Sequence, residues 1–466
     1  MPDTQGFIEN RIFSDIEPGD SATLQRQLTK ADIELFAIVS GDINPAHLDE
    51  SFAASDLFHH VVAHGMWGGA LISAVLGTEL PGPGTIYLSQ NLKFHRPVGV
   101  GDTVSVTVTA REKREERHVV VFDCLAANQT GAIVISGTAE VIAPTERVRM
   151  PRAQLPEVQL QRHDNYRHLI DTCAGLPPMA MAIVHPCDEP SLGGAVAAAR
   201  AGLIVPVLVG PEAKIRAVAA AAGLDISAYR LVPTAHSHAA AEEAVRLARA
   251  GEVATLMKGS LHTDELMHEV MSGTLGLRTE RRISHAFVMD IASYPKPLII
   301  TDAAININPT LEDKRDICQN AINLALALGV KLPKVAILSA VETVTMKLPS
   351  TLDAAALCKM AERGQISGGI IDGPLAFDNA IDKAAAATKG IVSAVAGDAD
   401  ILVVPDLEAG NMLAKQLSFL AGADAAGIVL GARVPIVLTS RADSLRTRMA
   451  SCAVAASLAA ARAAKA

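Results

Sequence analysis

Aromatic residues make up only 3% of this 466-residue chain, so its cores have to be filled by aliphatic side chains packed between helices and sheets. Long apolar runs are missing too. No stretch approaches the roughly 18 residues of a membrane span, and the opening MPDTQGFIENRIFSDI has no basic patch followed by an apolar one. Neither a spanning helix nor a leader is expected, which makes a cytoplasmic protein the simplest reading. Net positive charge is also absent. At −9 the chain is a poor general partner for nucleic acid or an anionic membrane, and a polyanionic ligand would have to find a local basic patch. Cysteine is sparse: Cys124, Cys173, Cys187, Cys318, Cys358 and Cys452 form no C-x-x-C and no metal-like pairing with the 14 histidines. Reduced, mostly buried thiols and no metal are expected.

The length allows two or three compact units at about 150 residues each. Residues 81 to 142 alternate like strands (TIYLSQNLKF, TVSVTVTA, HVVVFDCLAA, AIVISGTAEVI), with turn residues between them. One helix candidate, GMWGGALISAVLGTEL, precedes this meander. The pattern predicts an α+β unit over 1–145 in which a curved sheet wraps a central helix. A run without period, 146–164, reads as a linker. From 165 to 466, short apolar runs alternate with Ala-rich helices, as in MAMAIVHP, VPVLVG, ATLMKGS, PLIITDA and VPIVLTS. This predicts a three-layer α/β unit on a parallel sheet. Its length implies two lobes, one near 165–305 with 440–466, the other near 306–439.

In SGDINPAHLD, Asp42 and His47 stand five residues apart across an Asn-Pro turn, and AHGM follows at 63–66. A carboxylate and an imidazole brought together by a turn can hold a water and pass its protons, as hydration of an activated double bond requires. An N–H at Gly65, opening the long helix, would polarise a thioester carbonyl. Read singly, Asp42 also suits a turn and His47 a surface position. The set S-G-D-x-N-P-x-H-x-D, A-H-G-M and FHRPVGVGD resembles the MaoC-like hydratases, including R-specific enoyl-CoA hydratases, over most of residues 10 to 142. The resemblance implies a hot-dog fold, a dimer with sites near the subunit interface, Asp42 with His47 as the catalytic pair, and Ser40 and Asn44 as their supports. Trp67 would shorten the acyl pocket if it points inward. His59, His60 and His64 read as solvent-facing or helix-capping groups.

The second unit carries five distinctive stretches: LMKGSLHTDEL, ITDAAININP, DGPLAFDNAI, PDLEAGNMLAKQL and PIVLTSRADS. Two are apolar strands ending in a cation. Lys258 and Arg441 would therefore meet an anion at strand ends, with Ser440 donating a hydrogen bond to it. Solvated charges, or an Arg441 pair with Asp443 or Asp302, are the plainer alternatives. Together the five stretches resemble the phosphate acetyltransferase and phosphate butyryltransferase family over essentially all of 165–466, with SRADS closer to the butyryl branch. The resemblance implies acyl transfer from CoA to orthophosphate between two lobes, with Arg441 and Ser440 stabilising the oxyanion. Lys258 and Gly259 would anchor phosphate or CoA, and Asn306, Asn379, Glu408 and Asn411 would shape the cleft. The run Arg278, Arg281, Arg282 suits CoA phosphates or a solvated face.

One departure stands out. Thr447 occupies the position where the acetyl branch has a carboxylate. The expected whole is a bifunctional acyl-CoA enzyme with coenzyme A as substrate and product and no other cofactor, forming a homo-oligomer. Its alternative is a hydratase whose second unit only senses acyl-CoA and oligomerises.

Overall fold

The computed structural model describes residues 6–156, 158, 160, 164–173, 175–439 and 443–464. They form two compact units, Met1–Leu160 and Gln161–Ala466.

In the first unit a short β1 (Phe7–Glu9) is followed by β2 (Ser21–Gln27), α1 (Lys30–Ser40), α2 (Pro45–Leu48), α3 (Glu50–Ser55) and α4 (Gly65–Thr78). Strands β3 (Ile86–Phe94), β4 (Thr103–Arg114), β5 (Val119–Ala127), β6 (Ile133–Ile142) and β7 (Arg149–Pro151) complete it. The main sheet runs β2-β4-β5-β6-β3, antiparallel throughout. Strand β4 shows why α4 lies against it: Val104, Val106, Val108 and Ala110 alternate inward and pack in one core with Trp67, Ile72, Val75 and Leu76 of the helix. A helix without a polar stripe has to be wrapped by its sheet, which is the hot-dog arrangement. Gly68 makes the contact close, since a Cβ there would fall 2.3 Å from Ile135 Cδ1.

Part of the expected linker belongs to this unit. Strand β7 pairs with β1, and buried Asn10 accepts the Val148 N–H and donates to Glu146 O, so residues 146–151 are held in place. The turn-rich composition hid a strand of three residues, too short to show a period.

The second unit has strands β8 (Met179–Val184), β9 (Ile204–Gly210), β10 (Arg230–Pro233), β11 (Thr255–Lys258), β12 (Ser284–Asp290) and β13 (Leu298–Thr301). Then come β14 (Lys334–Leu338), β15 (Ile370–Leu375), β16 (Ile401–Val403), β17 (Asp424–Leu430) and β18 (Ile436–Val437). The helices are α5 (Asp164–Cys173), α6 (Glu189–Arg200), α7 (Glu212–Ala221), α8 (Ser237–Arg249), α9 (Thr263–Met271) and α10 (Leu311–Ala327). They continue with α11 (Pro349–Glu362), α12 (Phe377–Ile381), α13 (Lys383–Thr388), α14 (Leu407–Leu420) and α15 (Leu445–Ala463).

One eleven-stranded sheet, β10-β9-β8-β11-β18-β17-β12-β13-β16-β14-β15, joins all of these strands. It is mixed rather than parallel. β10 to β18 run one way and β13, β16, β14 and β15 the other, because β17 pairs antiparallel with both neighbours and β12 with β13. The signal for the reversal lay in the stretch between β12 and β13, too short for the crossover a parallel pair needs.

Helices cover both faces of this sheet, in one group on one face and in two groups on the other. Ala286 and Val288 of β12 point to the face covered by α6, α10, α11 and α15. On the opposite face, α8 and α9 (Ala244, Leu266) cover β8, β9 and β11 (Val184, Val209, Leu256). There α12 and α14 (Ala380, Leu413) cover β13, β16 and β14 (Ile300, Leu402, Ala336). Strands β17 and β12 lie in the seam between the groups.

Candidate functional site

In the first unit, α1 ends where Gly41 takes φ +75°, a conformation open to glycine without strain. The chain then folds back through a ladder of short-range bonds. Ser40 Oγ donates to Phe36 O and accepts the Asp42 N–H; Asp42 Oδ1 accepts the Asn44 N–H; Asn44 Oδ1 caps α2 at Ala46 N–H. Pro45, first in α2, has no N–H to lose there. Ser40 and Asn44 thus shape the turn, and they place His47 on one turn of helix facing Asp42.

His47 Nδ1 lies 2.8 Å from Val62 O, and a carbonyl can only accept, so the proton sits on Nδ1 and Nε2 keeps its lone pair. The same logic puts the His64 proton on Nε2, 3.0 Å from Asp42 O. One oxygen or nitrogen from each of Asp42, His47 and His64 lies within 4.8 Å of the other two, which is room for one shared water. His64 was expected to face solvent or cap a helix. It is instead 2% exposed, makes no side-chain cap bond at the start of α4, and leaves Nδ1 buried without a partner. The motif letters showed His64, but nothing in them reported its burial.

His47, Gly65, Trp67, Phe94 and Val134 line a cavity of about 320 Å³ beside this triad. Gly65 opens α4, where the first N–H groups have no carbonyl ahead of them in the helix. A Cβ at Gly65 would meet the Phe94 ring at 3.1 Å. Trp67 points inward, 7% exposed, and closes part of the cavity.

In the second unit, the expected residues fall into three groups. Lys258 ends β11 at 5% exposure, its Nζ 3.4 Å from both Gly259 O and Thr439 O. Gly259 is required by sterics: a Cβ would stand 2.4 Å from Val184 O and 2.7 Å from His185 O. Thr439 Oγ1, in turn, accepts from Arg448 Nη1 at 2.9 Å, and Arg448 is 4% exposed. Two buried cations therefore flank Thr439. Both side chains are held by these bonds at the carboxyl end of β11. Arg448 was missed because, four residues beyond the cap Ser444, it reads as an ordinary helix-surface charge. Ser440 and Arg441, expected to act at this strand end, lie outside the described residues.

The second group forms the turn after β13. Asp302, 2% exposed, accepts the N–H groups of Ala304, Ile305 and Asn306. The Asn306 amide donates to Asp302 and to Ile283 O and accepts from Arg282 Nε at 2.7 Å. Its polar atoms are thus committed to holding the turn. Asn411 in α14 donates to Ala303 O at 3.2 Å, and exposed Glu408 sits one turn earlier. The third group is apart from these, at the end of β15. Asn379 is fully buried, its Nδ2 3.5 Å from Glu342 Oε2 and its Oδ1 without a partner, while Glu342 also takes Lys389 at 3.2 Å. The paired registers put Met257 and Thr301 on one line across β18, β17 and β12, so the Lys258 and Asp302 groups stand nearly level on either side of the seam over β17 and β12.

His285 lies in the floor of that seam, 1% exposed, beside Gly427 and Phe287. Burial pushes its pKa down to about 4, against the pull of the Asp302 carboxylate, so the imidazole is neutral at pH 7. It was missed because a histidine in SHAFVMD looks like an outward polar residue until the strand's alternation is fixed on both faces. Thr447 is occupied in the cap of α15, its N–H donating to Ser444 Oγ at 3.1 Å.

Comparison with known proteins also finds two different parts in the chain. Residues 16–127 match the model of the MaoC like domain, and residues 232–456 that of phosphate acetyl/butaryl transferase. The chain is 67% identical over 297 residues to a phosphate acetyltransferase of Rhizobium meliloti, covering 64% of this chain and 94% of that one. It is 38% identical over 296 residues to a phosphate butyryltransferase of Clostridium beijerinckii, covering 64% and 98%. Overall similarity therefore leans to the acetyl relative, against the butyryl leaning read from SRADS. Among solved structures, a branched-chain phosphotransacylase from Enterococcus faecalis V583 is similar at 29% identity and TM-score 0.54, covering 60% of this chain and 99% of that one.

Proposed function

The chain belongs to the phosphate acetyl/butyryltransferase family, with a MaoC-like domain ahead of the transferase unit, and from that premise we propose that it carries two acyl-CoA activities. The second unit transfers a short acyl group between CoA and orthophosphate. The observation that carries this is 67% identity across nearly the whole of a protein named as a phosphate acetyltransferase. An oxygen of phosphate attacks the thioester carbonyl, the C–S bond breaks, and CoA leaves as thiolate to take up a proton. Lys258 and Arg448, buried on either side of Thr439, gather the positive charge that holds phosphate and the departing thiolate close together. Arg441, helped by Ser440, carries the oxyanion. With Thr447 tied up in a helix cap, transfer rests on positioning and charge rather than on a base at that position.

The first unit hydrates a short enoyl-CoA to the 3-hydroxyacyl-CoA. Its support is the Asp42, His47 and His64 geometry. His47 Nε2 takes a proton from water as its oxygen bonds to the β carbon, electrons move onto the thioester oxygen, and the Asp42–His47 pair returns a proton to the α carbon. The opening N–H groups of α4 at Gly65 hold the enolate oxygen. Trp67 limits the acyl chain to a short one. Exposed Ile38, Val39 and Ile43 beside the site, at 69%, 87% and 76%, are apolar enough to be covered by a second copy of the chain.

Two assays on the purified chain test the pair: phosphate-dependent release of free CoA from acetyl-CoA and butyryl-CoA, and loss of the enoyl absorbance of crotonyl-CoA. Release from acetyl-CoA at the higher rate and hydration of crotonyl-CoA are expected. Tight acyl-CoA binding without release would make the second unit a sensor, and an unchanged crotonyl-CoA signal would remove hydration.

A further inference from the structure

We infer that the recess where the end of α15 meets the loop between β17 and β18 is a second anion site, built for a phosphoryl group. Arg281, Arg433 and Arg462 line this cavity of about 470 Å³ together with Thr279 and Asn320; Glu280 is the one carboxylate on its wall. Three guanidinium groups therefore face one carboxylate. Arg462 is fixed in place, its Nη1 donating to Ala432 O at 3.1 Å and Arg433 O at 3.0 Å. The loop it holds is itself pinned: Gly431, at φ +82°, presses so closely on Arg282 O that a Cβ would fall 2.3 Å from that oxygen. Thr279 Oγ1 donates to Gly431 O and braces the same loop.

Arg281 and Arg433 are exposed and have no carboxylate partner among the described residues. Burial, and after it the nearness of the Arg281 guanidinium, lowers the pKa of Arg462. Side chains that merely solvate a surface would spread apart. These are gathered by a rigid loop, and a guanidinium fork matches the oxygens of a phosphoryl group. The site is distinct from the seam. Arg282, next in the chain, turns the other way and holds Asn306 and Asp313, whereas Arg281 serves the recess.

A phosphoryl anion here has two sources, the nucleotide end of CoA or a separate phosphorylated metabolite. Calorimetric titration of the full chain with inorganic pyrophosphate, for wild type, Arg281→Gln and Arg433→Gln, tests the site. Both variants lie on the surface and should keep the wild-type melting temperature. The expected result is, besides any event at the seam, one binding event per chain whose affinity falls about tenfold or more in each variant, partly restored in Arg433→Lys. Displacement of the bound pyrophosphate by CoA would assign the site to the substrate's own phosphates, and its retention to a separate ligand. Wild-type affinity in both glutamine variants, or no event in wild type beyond that at the seam, would overturn the inference.

Discussion

The two units handle charge in opposite ways. In the first, the carboxylate proposed to react, Asp42, is exposed on a loop, and backbone carbonyls fix the ring of each histidine beside it. In the second, Lys258 at the end of β11 and Arg448 in the first turn of α15 are buried and bonded to Thr439 between them. Adding water to a double bond moves protons, and proton movement needs groups whose lone pairs are correctly placed. Joining phosphate to a thioester brings anions together, and that needs fixed positive charge shielded from water. On the proposed readings, the site that shuttles protons is made from one short turn, whereas the site that assembles anions draws on a strand end and a helix brought together by the sheet.

Changes confined to one unit break this comparison most sharply. The largest expected effect is from His47→Ala, which removes the proposed base and should slow crotonyl-CoA hydration by about 10²- to 10⁴-fold while phosphate-dependent CoA release is untouched. A parallel loss of CoA release would mean that the units do not act separately. Next comes Phe122→Ala in the first core, where a fully buried ring is deleted. It should cost about 3–5 kcal/mol and lower only the first of two calorimetric transitions.

Acid should act on the second unit. His285 titrates near 4 when folded and near 6.5 when unfolded, so the unfolded chain binds its proton first. Stability is full above pH 6.5 and falls as pH drops toward 4, by about 3 kcal/mol in all. Denaturant midpoints against pH should flatten over this window in His285→Gln, and an unchanged slope would remove His285 as the cause. The smallest effect is on specificity. Trp67→Ala should raise the rate on a six-carbon enoyl-CoA relative to crotonyl-CoA by about tenfold, a pocket effect worth one or two methylenes.

Much of both units was legible because periodicity reports burial on one face. Strand β4 and helix α4 could be read from alternation and apolar length, and the β-α alternation after residue 165 marked the α/β unit. Direction was harder. Nothing in the pattern of a single strand says whether its neighbour runs parallel; for β12 and β13 only the short stretch between them carried that information, and the reversal at β17 emerged from the paired registers. Site residues were legible where they sit in tight turns, as with Asp42, Asn44 and His47. They were lost where burial gives an ordinary residue its role, as with His64, His285 and Arg448. Asn306 shows the converse: a motif residue near the seam whose amide is spent on the turn.

The most direct test of two separate acyl-CoA sites is a crossed assay of wild type, His47→Ala and Arg441→Ala, each measured for crotonyl-CoA hydration and for phosphate-dependent CoA release from acetyl-CoA. Arg441→Ala should lose about 10²- to 10³-fold in CoA release and keep hydration, with His47→Ala showing the reverse. Full CoA release by Arg441→Ala, or loss of both activities in either variant, would contradict the account.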